Sequence, residues 1–249
     1  MLLKDFKRVT VPDDKYTGVI VIPTLVLNHD KAVELAATMR TFDPEWKACV
    51  VVVESDTARE GYEETQKELD EFGLTADYWL KIPERLSFSK AVNVGFEFAT
   101  AKMMNTKILI MQSDDAHHDN WSWYWDAMKL LEDNPRLAVV SYPENIVPVP
   151  NWKIWSFRHF SGAVWATTPR RLANIGLFDE RYVVETFEDT DYWHRCLREG
   201  YVGVTDYSSP VTHQQNMTGR LLPEFKTAEK INEQAFKEKW GVDPMERYH

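Results

Sequence analysis

Residues Ile108 to Trp121 read ILIMQSDDAHHDNW, an apolar run that stops on two adjacent carboxylates. The run has the length and aliphatic make-up of a strand buried on both faces, as in a parallel sheet. Adjacent acids at its end, Asp114 and Asp115, repel one another and lose hydration unless water, a cation or a basic group stands near. What surrounds this strand end therefore decides both the fold and the chemistry.

Upstream, the same pattern recurs. Gly18–Thr24 (GVIVIPT) and 48–53 (ACVVVV) read as buried strands, and a shorter one lies near 77–82. Between them, 30–42 has helical spacing with Asp30 as its cap, and 58–72 reads as a polar helix. Ser87 or Ser89 caps a helix running to about 103. The strand 107–112 follows, then a helix over 120–133. Strands alternating with amphipathic helices predict an α/β fold with a mainly parallel central sheet flanked by helices. In such sheets ligands gather at the carboxyl ends of the strands. Pro23-Thr24, Glu54-Ser55-Asp56 and Asp114-Asp115 each follow a strand, so they are expected along one polar edge. The second half is less regular, with strands at 137–142 and 161–167 around a Pro- and Trp-rich segment, Pro143 to Trp155. A polar helix lies near the C-terminus.

The 249 residues are 44% hydrophobic, enough for a substantial core, and carry a net charge of −10. That field repels phosphate and disfavours generic nucleic-acid or anionic-membrane binding. Cys49 and Cys196 read as buried thiols of a reducing compartment. The N-terminal stretch lacks a signal-peptide core and no run approaches a membrane span, so a cytoplasmic location is expected. No GxGxxG, GxxxxGK[ST] or GxSxG motif and no zinc-type Cys/His spacing occurs, which argues against the commonest dinucleotide, P-loop and hydrolase chemistries.

Two further segments carry candidate chemistry. In Phe178 to Tyr201, Asp189, Trp193 and Leu197 fall on one helical face, which predicts that Asp189 points inward, where a carboxylate can act as a general base. Glu185 and Glu188 complement the start of that helix, and Asp191 is placed to pair with Arg195. His213 follows a strand and a Ser-Ser-Pro turn, whereas His117 and His118 read as solvated loop residues.

Taken in order from about Val19 to His213, these segments resemble the inverting GT-A glycosyltransferases of family 2. Pro23-Thr24 is similar to the turn after that family's first strand. Glu54-Ser55-Asp56 is similar to the segment holding the nucleotide base and ribose, with Glu54 where Asp is usual. Ala91-Val92-Asn93-Val94-Gly95 resembles its Ala-Arg-Asn-x-Gly segment, with Lys90 beside a Val92 that replaces the common basic residue. Met111 to Asp115 resembles the metal-binding Asp-x-Asp strand end, with Gln112 in place of the first Asp. Ser161-Gly162-Ala163 and Phe187-Glu188-Asp189 resemble the stretch leading into the family's Glu-Asp motif, and His213 a further metal ligand of some members.

The resemblance implies a Rossmann-like GT-A domain over 1–249. Residues from about 15 to 115 would form the nucleotide-binding half, 116–215 the acceptor-side half and 216–249 a C-terminal helical extension. It implies that Pro23, Thr24, Glu54, Asp56, Lys90, Asn93 and Ser113 contact the nucleotide, and that Asp114, Asp115 and His213 hold Mn²⁺ or Mg²⁺. Asp189 would be the catalytic base, and Trp152, Glu188 and Gly162 would meet the acceptor. The expected donor is a UDP- or dTDP-sugar giving up a hexosyl or pentosyl group. The acceptor would be a hydroxyl of a glycan, protein, small molecule or modified nucleic-acid base. Two alternatives stay open: a nucleotidyltransferase of related architecture, although its Gly-rich phosphate loop is missing, and a non-catalytic carbohydrate-binding protein, which would not need Asp114, Asp189 and His213 together.

Overall fold

Strand β1 (Gly18–Thr24) alternates its side chains between two cores. The computed structural model describes residues 16–103, 105–118, 122–146, 148, 153–156, 162–214 and 218–242. Val19 and Val21 enter one core with Val92, Phe96 and Ala99 of helix α3 (Phe88–Lys102). Ile20 and Ile22 enter the other with Leu35 of α1 (His29–Met39) and Ala127 and Leu131 of α4 (Trp123–Asp133). All four β1 residues are fully buried, each worth about 1.5–3 kcal/mol relative to exposure. Gly95 lets α3 lie directly on β1, because a Cβ there would collide with Val21.

The strands β2 (Ala48–Glu54), β3 (Tyr78–Lys81), β4 (Ile108–Gln112), β6 (Leu137–Ser141), β7 (Lys153–Ser156), β8 (Val164–Thr167) and β9 (Val202–Asp206) complete an eight-stranded sheet among the described residues. Its order is β3-β2-β1-β4-β8-β6-β9-β7. β3, β2, β1 and β4 run parallel, as do β6 and β9, while β8 and β7 are antiparallel to their neighbours. The fold class expected from the alternating pattern is thus the one observed. Helices α2 (Tyr62–Glu71), α5 (Pro169–Ile175), α6 (Glu188–Arg198) and α7 (Phe225–Trp240) are the other α-helices among the described residues. No helix among the described residues is long and apolar enough to cross a membrane.

Several local expectations are corrected. Asn28, not Asp30, caps α1, its side chain accepting from the Lys31 amide at 3.1 Å. The residues taken as a solvated loop after Asp115 instead form β5 (Ala116–His118), antiparallel to β10 (Val211–His213). Three residues are too few to show a period, and the partner strand lies far along the chain. His118 is consequently buried, stacked on Trp123 with ring centroids 4.1 Å apart and edge-on to Tyr142 at 4.6 Å. Both cysteines are buried free thiols, and burial pushes the Cys196 thiol up to about 12.

Candidate active site

Parallel pairing of β1 with β4 sets their carboxyl ends side by side, and this brings Thr24 to Asp114. The Thr24 hydroxyl donates to Asp114 Oδ2 at 2.6 Å, while Thr38 of α1 donates to the Asp114 carbonyl at 2.9 Å. Asp114 is almost wholly buried. Burial, then the charge of Asp115, pushes its carboxyl up to about 7 against the Thr24 hydrogen bond, which lowers it. The β5–β10 pairing carries His213 to the same place. Its Nε2 lies 3.0 Å from Asp115 Oδ1 and its Nδ1 2.8 Å from Glu144 Oε2.

Burial alone would lower the His213 pKa, but the hydrogen bonds that its ring donates to Asp115 and Glu144 outweigh it and raise it from 6.5 to about 9. In metal-free protein the stabilisation from this ion-paired imidazolium is complete below about pH 6.5 and is lost as the pH rises through about 9. The urea-midpoint difference between wild type and His213→Asn should therefore shrink between about pH 6 and pH 10. A difference that grows over that range would contradict the pairing.

Across the cleft, α6 begins after a backbone that few side chains tolerate. Val184, Thr186 and Phe187 have φ of 59°, 97° and 66°, left-handed values that are costly for β-branched residues, at about 1–3 kcal/mol each. The turn delivers Glu185, Glu188 and Asp189 to the cleft wall. Asp189 Oδ1 accepts from the Thr190 amide at 2.6 Å, and its Oδ2 faces Gly162, where a Cβ would stand only 3.1 Å away. Gly162 thus keeps the approach to this carboxylate open. Glu188 is 8% exposed, and its Oε2 has no hydrogen-bond partner among the described residues. Burial, then the neighbouring Asp189 charge, pushes the Glu188 carboxyl well up.

The cleft so formed has a volume of about 390 Å³. Two solved structures share its scaffold, each with a TM-score of 0.60. One is a crystal structure of GalNAc-T7 with UDP, GalNAc and Mn²⁺, 13% identical over 81% of this chain and 44% of that one. The other is the mannosyltransferase PcManGT from Pyrobaculum calidifontis in complex with GDP-Man and Mn²⁺, 19% identical over 86% of this chain and 63% of that one. The chain has the GT-A fold. It spans less than two thirds of either protein's length. No protein-family model matches the sequence, and a search of curated proteins finds no relative.

Within the GT-A fold the residues expected at the site divide into two groups. Pro23, Thr24, Ser113, Asp114, Asp115, Gly162, Glu188, Asp189 and His213 all line the one cleft. Glu54, Asp56 and Asn93 line neither it nor the adjoining cavity. Glu54 is fully buried and accepts from Tyr62 at 3.0 Å and Trp79 at 2.9 Å, while Asp56 is paired with Arg85 at 2.9 Å. Asn93 instead ties α3 to the loop before α6, exchanging hydrogen bonds with the Phe178 backbone at 2.9 Å in both directions. Lys90 lines the second cavity, beside Leu25, Arg85 and Leu86. Trp152 lies outside the described residues.

Sequence reasoning missed Glu144 and Arg220, which also line the cleft, and took Glu185 only as a helix-start charge. Glu144 follows β6, so the strand-end rule that singled out Asp114 could have found it. Arg220 sits in a single 3-10 turn (Thr218–Leu221), too short to leave a periodic signal. Among the described residues that line the cleft, six carry carboxyl groups, Asp114, Asp115, Glu144, Glu185, Glu188 and Asp189, against two basic side chains, His213 and Arg220. Among the described residues no three metal-binding side chains are already gathered for coordination. The donor chemistry nevertheless fits a hard divalent cation: oxygen donors with one imidazole, in excess of the basic side chains among the described lining residues.

Proposed function

We propose that this protein is a metal-dependent glycosyltransferase that moves a sugar from a nucleoside-diphosphate sugar to an acceptor hydroxyl with inversion at the anomeric carbon. One observation carries the reading: within a GT-A scaffold, Asp114, Asp115, His213 and Asp189 line one cleft, with His213 paired to Asp115 at 3.0 Å. The presence of a nucleotide or nucleotide-sugar and Mn²⁺ in both structural neighbours supports it.

Asp114, Asp115 and His213 would hold Mn²⁺ or Mg²⁺. When bound, the ion supplies Lewis-acid stabilisation of the charge that develops on the departing diphosphate. The chain's own residues then have distinct tasks. Thr24 and Thr38 fix the orientation of Asp114 through its side chain and carbonyl. Gly162 leaves room for the acceptor oxygen beside Asp189, and Asp189 takes the hydroxyl proton as that oxygen attacks. Thr190 holds the far oxygen of the same carboxylate. Leu25, Leu86 and Lys90 of the second cavity offer apolar walls and positive charge for the nucleoside and its phosphates, beside an Arg85 held by Asp56 and Glu224.

The test is calorimetric titration of UDP, dTDP, GDP, ADP and CDP with and without Mn²⁺, using wild type and Asp114→Ala. Metal-dependent binding of one diphosphate, weakened at least about tenfold in the variant, is the expected result and names the base. Absence of binding to any of them would overturn the donor site. With the donor in hand, the anomeric configuration of the product by NMR distinguishes inversion from retention.

A further inference from the structure

We propose that Glu185 is a specificity-determining residue of the donor site, whose carboxyl reads hydroxyl groups of the nucleoside-diphosphate sugar where the two cavities meet. The inference rests on the glycosyltransferase reading above. Glu185 lines both cavities, so a ligand long enough to occupy the two must pass it.

The protein goes to some length to put a carboxyl there. Three of the four residues from Val184 to Phe187 have left-handed backbone angles although none is glycine, a conformation that persists only when the surroundings impose it. Here they do, from two sides. The Phe88 amide at the start of α3 donates to the Val184 carbonyl at 2.7 Å. From α7, the fully buried Asn232 accepts from the Val183 amide at 2.9 Å and donates to the carbonyls of Val183 at 2.8 Å, Glu185 at 3.0 Å and Thr186 at 3.3 Å. The Glu185 carboxyl itself rests on Gly219, where a Cβ would collide with it.

Held in this way, Glu185 Oε1 is shut off from bulk water yet has no hydrogen-bond partner among the described residues. An oxygen of this kind costs free energy unless a ligand satisfies it. The carboxyl as a whole is not bare, since the Gly219 amide hydrogen-bonds it and the Arg220 charge acts on it, so Oε1 is the part left for a ligand; burial nonetheless pushes the carboxyl up to about 7. A carboxyl near half protonation can accept from one hydroxyl and donate to another, which suits the paired hydroxyls of a sugar better than a second cation or a phosphate.

Two parts of the donor carry such hydroxyls, the ribose and the transferred sugar, and one experiment separates them. Calorimetry with Mn²⁺ would compare wild type and Glu185→Gln against UDP, dUDP and UDP-glucose and against GDP, dGDP and GDP-mannose. A loss of about tenfold for the ribonucleotide but not its 2′-deoxy counterpart assigns Glu185 to the ribose. A similar loss appearing only when the sugar is attached assigns it to the transferred sugar. Gly219→Ala, which keeps the glutamate but displaces it from its seat, should reproduce whichever pattern is found. Equal changes for every ligand, or none in either variant while wild type binds, would overturn the proposal alone. Where the five-diphosphate panel selects another base, the ribo- and 2′-deoxy diphosphates and the nucleotide sugar of that base replace these ligands, and failure of wild type to bind any diphosphate of that panel would overturn the proposal together with the glycosyltransferase reading.

Discussion

Asp189→Asn should lower kcat about 10³-fold while leaving Mn²⁺-dependent donor binding within about twofold of wild type. Asparagine fills the same space and can still accept the Thr190 amide hydrogen bond now made by Asp189 Oδ1, so the turn and the mouth of the cleft beside Gly162 keep their shape. What disappears is the ability to take a proton from the acceptor. General-base assistance is typically worth 10²–10⁴-fold, and 10³ corresponds to about 4 kcal/mol of transition-state stabilisation. Steady-state kinetics with the donor identified by calorimetry, alongside a direct binding titration, separates the two effects. A loss under about tenfold would move the base elsewhere in the cleft, and Glu188, buried with an unpartnered oxygen, is the next group to test.

The second large effect is on stability and comes from a carboxylate two residues away. Asp191 is fully buried and accepts from Arg195 Nε at 2.9 Å, Tyr182 at 3.2 Å and Trp240 Nε1 at 2.8 Å, with Lys239 Nζ 2.7 Å away. It joins α6 to α7 and to the loop before α6. Asp191→Ala would leave Arg195, itself only 8% exposed, without its buried counter-charge. Breaking such a pair typically costs about 3–5 kcal/mol, which for a chain of this size is a fall in Tm of about 10 °C. Thermal unfolding by circular dichroism measures it. A fall of less than about 3 °C would mean that the network is carried by Lys239 and Asp179, which also pair at 2.7 Å, rather than by Asp191.

The contrast between these two acids shows what a single chain can reveal. Asp191 and Arg195 are four apart on one helix, so their pairing follows from helical geometry alone. That Asp189 faces a cleft followed from its stripe with Trp193, which is buried in the core. The parallel half of the sheet was equally legible, because burial on both faces writes continuous apolar runs into β1, β2 and β4. The polar groups at the ends of β1 and β4 were thereby placed on one edge of the sheet.

Contacts between distant segments were not legible. Glu54 ends a buried strand much as Asp114 follows one, yet Tyr62 and Trp79 close over it, and no local pattern distinguishes a sealed carboxylate from an open one. The three-residue pairing of β5 with β10, which carries His213 to Asp115, is too short to leave a period. Asn232 reads as one polar residue in a polar helix, and only its buried position against residues 183–186 shows that it clamps the cleft wall. The sequence by itself determined the parallel half of the sheet, the helices that flank it and the edge on which chemistry gathers, because periodic burial is a local property of the chain. The tertiary structure alone decided which of those polar groups meet, which are spent on structural hydrogen bonds and which are left facing the cleft, because burial and hydrogen-bond partners depend on segments that the chain brings together from far apart.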